Sequence, residues 1–155
     1  MTPNAPSTDQ GAQTARFTPA VAVLAKGAAI GSALALVANL VVFVIGNAGA
    51  PLQVVASGDT EASDLPVGAV IGASIVPLLV GAVGLWLAYR FLAKSFAVWS
   101  AVVAVLAVVS IVGPFGLDID TGSKVALTVM HIATGAAAIV GQSIVRNKTN
   151  EGVKA

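Results

Sequence analysis

Charge is scarce and unevenly placed in this chain, and that restricts its folding more than any other feature. Asp, Glu, Lys and Arg make up 10% of the residues, and the stretches 27–46, 66–89, 95–113 and 124–145 hold none of them except Lys124 at one edge. A run of ~20 mainly apolar residues is long enough, as a helix, to cross the ~30 Å hydrocarbon core of a bilayer. A soluble domain would carry roughly a quarter of its residues as charged types. With 57% apolar residues and a mean hydropathy of +0.92, the chain has too little polar surface to keep a globule dispersed in water. The reading is an all-α fold, an integral membrane four-helix bundle whose main partner is the lipid bilayer.

Punctuation residues set the expected boundaries. Residues 1–17 are rich in Pro, Ser, Thr, Gln and Asn without apolar periodicity, which reads as a disordered tail. Thr18 followed by Pro19 is a helix start signal. The first helix, counted from there, is about 28 residues or ~42 Å. It therefore overshoots the bilayer, with Lys26 snorkelling to the headgroups and the span proper at 27–46. Ala48-Gly49-Ala50 resembles a signal-peptide cleavage site, but Pro51 follows it and the apolar run is longer than a signal core, so the span is read as retained. Residues 47–64 read as an exposed loop with a short strand at Gln53 to Val55. Asp64 is the expected cap of the second helix, with Pro66 in its first turn and Pro77 as a mid-span kink. Gly113-Pro114 closes the third helix, Ser123 caps the fourth, and residues 147–155 read as a polar tail after a membrane domain of 18–146.

Orientation follows from the basic residues. Arg16, Lys26, Arg90, Lys94, Arg146, Lys148 and Lys154 fall on the side of the termini and the central link, and only Lys124 falls on the other. The positive-inside rule then places both the N and the C terminus in the cytoplasm, in a multi-pass protein of the plasma membrane. Asp59, Glu61, Asp64, Asp118 and Asp120 all face the opposite side. Trp86, Tyr89 and Trp99 lie near the cytoplasmic span ends, at the level that amphipathic rings prefer.

Several chemistries are disfavoured. A net charge of +1 offers no basic field for nucleic acid. The absence of Cys and a single His argue against a metal cluster, a thiol nucleophile or a Ser/His/Asp triad, so no catalytic group, metal or cofactor is expected. No acid or base lies deep in a span, as a proton-coupled carrier would require.

Two patterns remain. Small residues recur at helical spacing in Gly27 and Gly31, Gly68 and Gly72, and Ala133, Ala137 and Gly141. In lipid such stripes allow close helix packing, within the bundle or against a second copy. The other pattern is a polar layer. Asn39, Ser74, Ser110 and His131, one from each span, all fall about 8 to 12 Å from the outer boundary at ~1.5 Å per residue. Unpaired polar groups are costly in hydrocarbon, so these should face one another, either as structural hydrogen bonds or as the lining of a small cavity. Imidazole, which titrates near neutral pH, could make such a cavity pH-sensitive. Thr128 and Thr134 are expected to bond to carbonyls of their own helix.

Asn39-Leu40-Val41 in span one, Phe96 at the start of span three, Ser110 with Gly113-Pro114 at its end, and Met130-His131 in span four resemble a family of small four-span actinobacterial membrane proteins of unknown function. The resemblance covers about residues 22 to 145 and implies topology but no activity. The expectation for function is a non-enzymatic accessory or interaction protein, beside a larger membrane complex or self-associated. The alternative is a carrier or channel-like protein for a small neutral or apolar solute using the Asn39/His131 layer. An enzyme acting on lipid stands third.

Overall fold

The computed structural model describes residues 19–55, 59–92 and 95–154. The tail expected at 1–17, the cap expected at Thr18, and Lys94 lie outside the described residues. Four helices make up the fold: α1 (Val21–Gly46), α2 (Val67–Phe91), α3 (Ser95–Val112) and α4 (Thr121–Lys154). Each is long and apolar enough to cross a membrane, and together they make an all-α membrane bundle. Between α1 and α2, strands β1 (Gln53–Val54) and β2 (Ser63–Asp64) form an antiparallel pair with Gln53 opposite Asp64.

Packing centres on α1. Its buried face repeats at helical spacing through Gly27, Gly31, Ala35 and Asn39. A Cβ on Gly27 would stand 2.6 Å from the Gly141 carbonyl oxygen, and one on Gly141 would stand 2.6 Å from that of Gly27. The two backbones are therefore in direct contact where α1 crosses α4. Gly31 is closed in the same way by Leu78 of α2 and the Ala137 carbonyl of α4. Contacts this close maximise dispersion, the main attraction between helices in lipid. Gly68 and Gly72 behave differently: a Cβ on either meets nothing within 4 Å. Of the two readings from sequence, packing within the bundle does not hold for this stripe, because the side of α2 that meets α1 carries Val70, Ser74 and Leu78 instead.

Two further clusters close the ends of the bundle. At the loop end, Leu52 and Leu65 from the β-hairpin segment pack with Ile119, Leu127 and Met130. At the opposite end, Leu24, Leu85 and Val145 are covered by Trp86, Tyr89, Phe96 and Trp99.

Several helix ends differ from expectation. Helix α1 starts at Val21 with Ala20 as its cap, so Pro19 precedes the helix. Asp64 does not cap α2, because its backbone is occupied in β2 and Pro66 holds the cap position. Helix α4 starts two residues before Ser123, and Asp120 is the cap: its Oδ1 accepts the Ser123 N–H at 2.9 Å and its Oδ2 accepts the Ser123 hydroxyl. Ser123 Oγ in turn accepts the Gln53 N–H at 2.8 Å, tying the two loops together. Helix α4 also continues through the polar tail to Lys154. Val145 and Thr149, four residues apart, are both buried, and the Thr149 hydroxyl bonds back to the Val145 carbonyl at 2.8 Å.

Candidate intramembrane site

The polar layer forms, with a different membership. Asn39 is 3% exposed and Ser74 is fully buried. The Asn39 Nδ2 donates to Ser74 Oγ and to Thr134 Oγ1, each at 2.9 Å, so one amide joins α1, α2 and α4. Ser74 passes its own proton to the Val70 carbonyl at 2.7 Å. Thr134 thus serves Asn39, whereas Thr128 bonds to its own helix at Lys124 as expected of both. Three residues N-terminal to Thr134, His131 does not reach Asn39; its Nδ1 lies 2.7 Å from the Leu127 carbonyl. Ser110 donates to the Ala107 carbonyl at 2.8 Å. The Asn39 carbonyl oxygen is left buried without a partner.

His131 and Ser110 instead line a large, half-open space between the helices. A cavity of about 820 Å³ lies between α2, α3 and α4 with α1 as its back wall. It runs along the bundle from Pro114 and Leu127 near the loops to Leu85 and Val145 near the opposite end. Its origin is the placement of α3. No residue of α3 with a described side chain is fully buried, so the helix packs only loosely on its neighbours. It is held at three places. The ring of Trp99 lies against Gly84 of α2, where a Cβ would overlap the indole. In mid-span Ala107 approaches Gly135 of α4. Arg146 of α4 sits 5.1 Å from the ring of Phe96, within cation–π range. The gap between these supports is a slot.

Chemically the slot is a mostly apolar channel with a polar level near the loops and the amide of Gln142 toward the other end. Pro77 and Gly81 of α2 form part of its wall, and so do Asn39, Ser110, His131 and Thr134. Among the described residues, no Asp, Glu, Lys or Arg lines it. The Ala107–Gly135 approach puts Ser110, three residues further along α3, opposite His131, four residues back along antiparallel α4. At the far end the Trp99 indole N–H is buried and unpaired. Sequence reasoning expected Trp99 at the headgroup level and missed its turn inward. The signal was Gly84, the one position on the facing turn of α2 where a ring can lie on bare backbone. A volume in the ~300–1,000 Å³ range, mostly apolar walls and a few convergent polar groups are the usual attributes of a small-molecule site.

Residues 19–147 match the family of unknown function DUF6069, and the chain belongs to that family. Comparisons with curated proteins and with solved structures each find no match.

Proposed function

We propose that this member of a family without an assigned activity is a non-enzymatic membrane protein that holds a small apolar or neutral molecule in the slot beneath α3, as a carrier would. The loose packing of α3 is the observation that carries this reading. A helix that served only to complete a bundle would bury a face, because dispersion is the main force drawing it to its neighbours in lipid. Here Gly84, Gly135 and Trp99 hold the helix at spaced points and leave a continuous cavity between them. The lining groups can hydrogen-bond, but among the described residues His131 has no acid beside it to orient it, and the Ser110 hydroxyl gives its proton to the Ala107 carbonyl and not to the imidazole, so the set supports no hydrolytic triad. We further place both termini in the cytoplasm, on the sorting of the basic residues.

Native mass spectrometry of the chain released from lipid nanodiscs tests the reading. The wild type is expected to retain one apolar molecule per chain. Ala138→Phe, which projects a ring into the slot from α4, should insert normally and lose that molecule. Equal retention by both would refute the proposal.

An accessory role is the second reading, favoured by the unpacked Gly68 and Gly72 on α2. It predicts a stable dimer or a co-purifying membrane protein in the same spectrum, with the slot empty of small molecules.

A further inference from the structure

Resting on the binding role proposed above, we infer that the occupant of the slot is an uncharged amphiphile with a hydroxyl head, seated between His131 and Ser110 with its apolar tail running toward Trp99.

The hydrogen-bonding state of the two polar groups selects the head. The Leu127 carbonyl can only accept, so the His131 Nδ1 that lies 2.7 Å from it must carry a proton. In the neutral ring the other nitrogen, Nε2, is then a pure acceptor. Among the described residues Nε2 has no partner, and it is not among the buried unpaired atoms, so it remains accessible from its position on the slot wall. Ser110 is similar. Its only proton is committed to the Ala107 carbonyl at 2.8 Å, which leaves its lone pairs to the slot. Two acceptors on two helices therefore line one level of the slot; both Asn39 amide protons beside them are engaged, and the Thr134 hydroxyl, which accepts from Asn39, keeps its proton for a ligand oxygen. A complementary head must donate.

This pattern discriminates among lipid classes. A fatty acid or a phosphate monoester would bring negative charge to a cavity that has no Lys or Arg among its described lining residues. Burying an unpaired charge there is prohibitive. A quinone offers only carbonyl acceptors and would leave both protein acceptors unpaired, as would a hydrocarbon. An alcohol supplies one donor and a vicinal diol supplies two. Sites that hydrogen-bond a ligand hydroxyl reject analogues lacking it far more strongly than apolar pockets reject a missing methylene, because the site's polar groups are then left unsatisfied. The tail faces Pro77, Gly81, Val103, Leu106 and Ala138, which offer a smooth apolar wall.

Trp99 provides the reporter. In a Trp86→Phe chain it is the single indole, since the sequence holds two Trp residues. This chain, reconstituted in nanodiscs of saturated phosphatidylcholine, is titrated with four brominated probes of equal tail length: a long-chain alcohol, its monoacylglycerol counterpart, its methyl ether and its carboxylic acid. The alcohol or the monoacylglycerol should half-quench Trp99 at a mole fraction about tenfold below that of the ether, with the acid no better than the ether, for a preference of about one hydrogen bond. The tighter of the two hydroxyl probes identifies the source, a free alcohol or a glyceride. His131→Phe, which leaves the Asn39 bonds intact, should reduce the tenfold preference to less than threefold while the ether still binds. Equal quenching by alcohol and ether overturns the hydroxyl assignment and leaves the slot as an unselective apolar site. Tighter binding of the acid overturns it as well. Quenching by all four probes that Ala138→Phe does not alter overturns the binding role itself.

Discussion

Gly27 and Gly68 illustrate how far a residue's meaning depends on what stands opposite it. Both begin a pair of glycines four residues apart in an apolar helix, and sequence treats them alike. A Cβ on Gly27 would press on the Gly141 carbonyl at 2.6 Å, whereas one on Gly68 would enter open space. Gly27→Val should therefore force α1 and α4 apart and cost about 1–3 kcal/mol or more, as overpacked interiors do. Gly68→Ala should be neutral or stabilise α2 by roughly 0.5–1 kcal/mol, because Ala loses less backbone freedom than Gly. Thermal unfolding in one detergent checks both, and a destabilised Gly68→Ala would mean that α2 is packed there against something outside the chain. The polar layer carries the same lesson. Asn39 and Ser74 were legible as members because hydrocarbon leaves an amide no alternative to a partner. Thr134 was not, because a threonine in a helix can always bond to its own carbonyls, as Thr128 does.

At the scale of elements, the start of α4 is tied to the β1 segment through Asp120, Ser123 and Gln53. Hydrogen bonds from the Ser123 hydroxyl and then its backbone N–H hold the Asp120 carboxyl below its ordinary value of 3.8. For a carboxyl lowered in the folded state, the stabilising contribution is complete above the ordinary value and is lost as pH falls through the lowered one. Amide exchange at Gly122 and Ser123 should accordingly rise, relative to its intrinsic rate, as the pH is taken from neutral to below the lowered value. Asp120→Asn keeps a neutral capping acceptor and should show no such step. A similar step in both chains would place the titrating group elsewhere. The cap was misread from sequence as Ser123 because both residues are good cappers, and only the helix start at Thr121 decides between them.

For the whole molecule, the number and order of spans was legible because the bilayer imposes it: a backbone in hydrocarbon must satisfy its own hydrogen bonds, and uninterrupted apolar runs of helical length have no other solution. Orientation rests on the basic residues alone and is open to a direct test, since the chain has no Cys. With single cysteines introduced by Thr60→Cys, Asp118→Cys and Asn147→Cys, an impermeant thiol reagent on intact cells should label the first two and spare the third. Labelling of Asn147→Cys alone would reverse the orientation.

Sequence by itself determined the solvent, the helix count, the turns at Pro114 and the presence of a polar layer. Each follows from the cost of placing polar or charged groups in hydrocarbon, a property of single residues and their spacing. Only the tertiary structure decided which small-residue stripe carries the bundle, which hydroxyl serves Asn39, and that α3 packs loosely on its neighbours over a slot of about 820 Å³. In lipid an apolar face looks the same whether it meets another helix, a bound molecule or the bilayer. Close packing between particular backbones is what separates these cases, and it is a property of pairs of helices that no single span encodes.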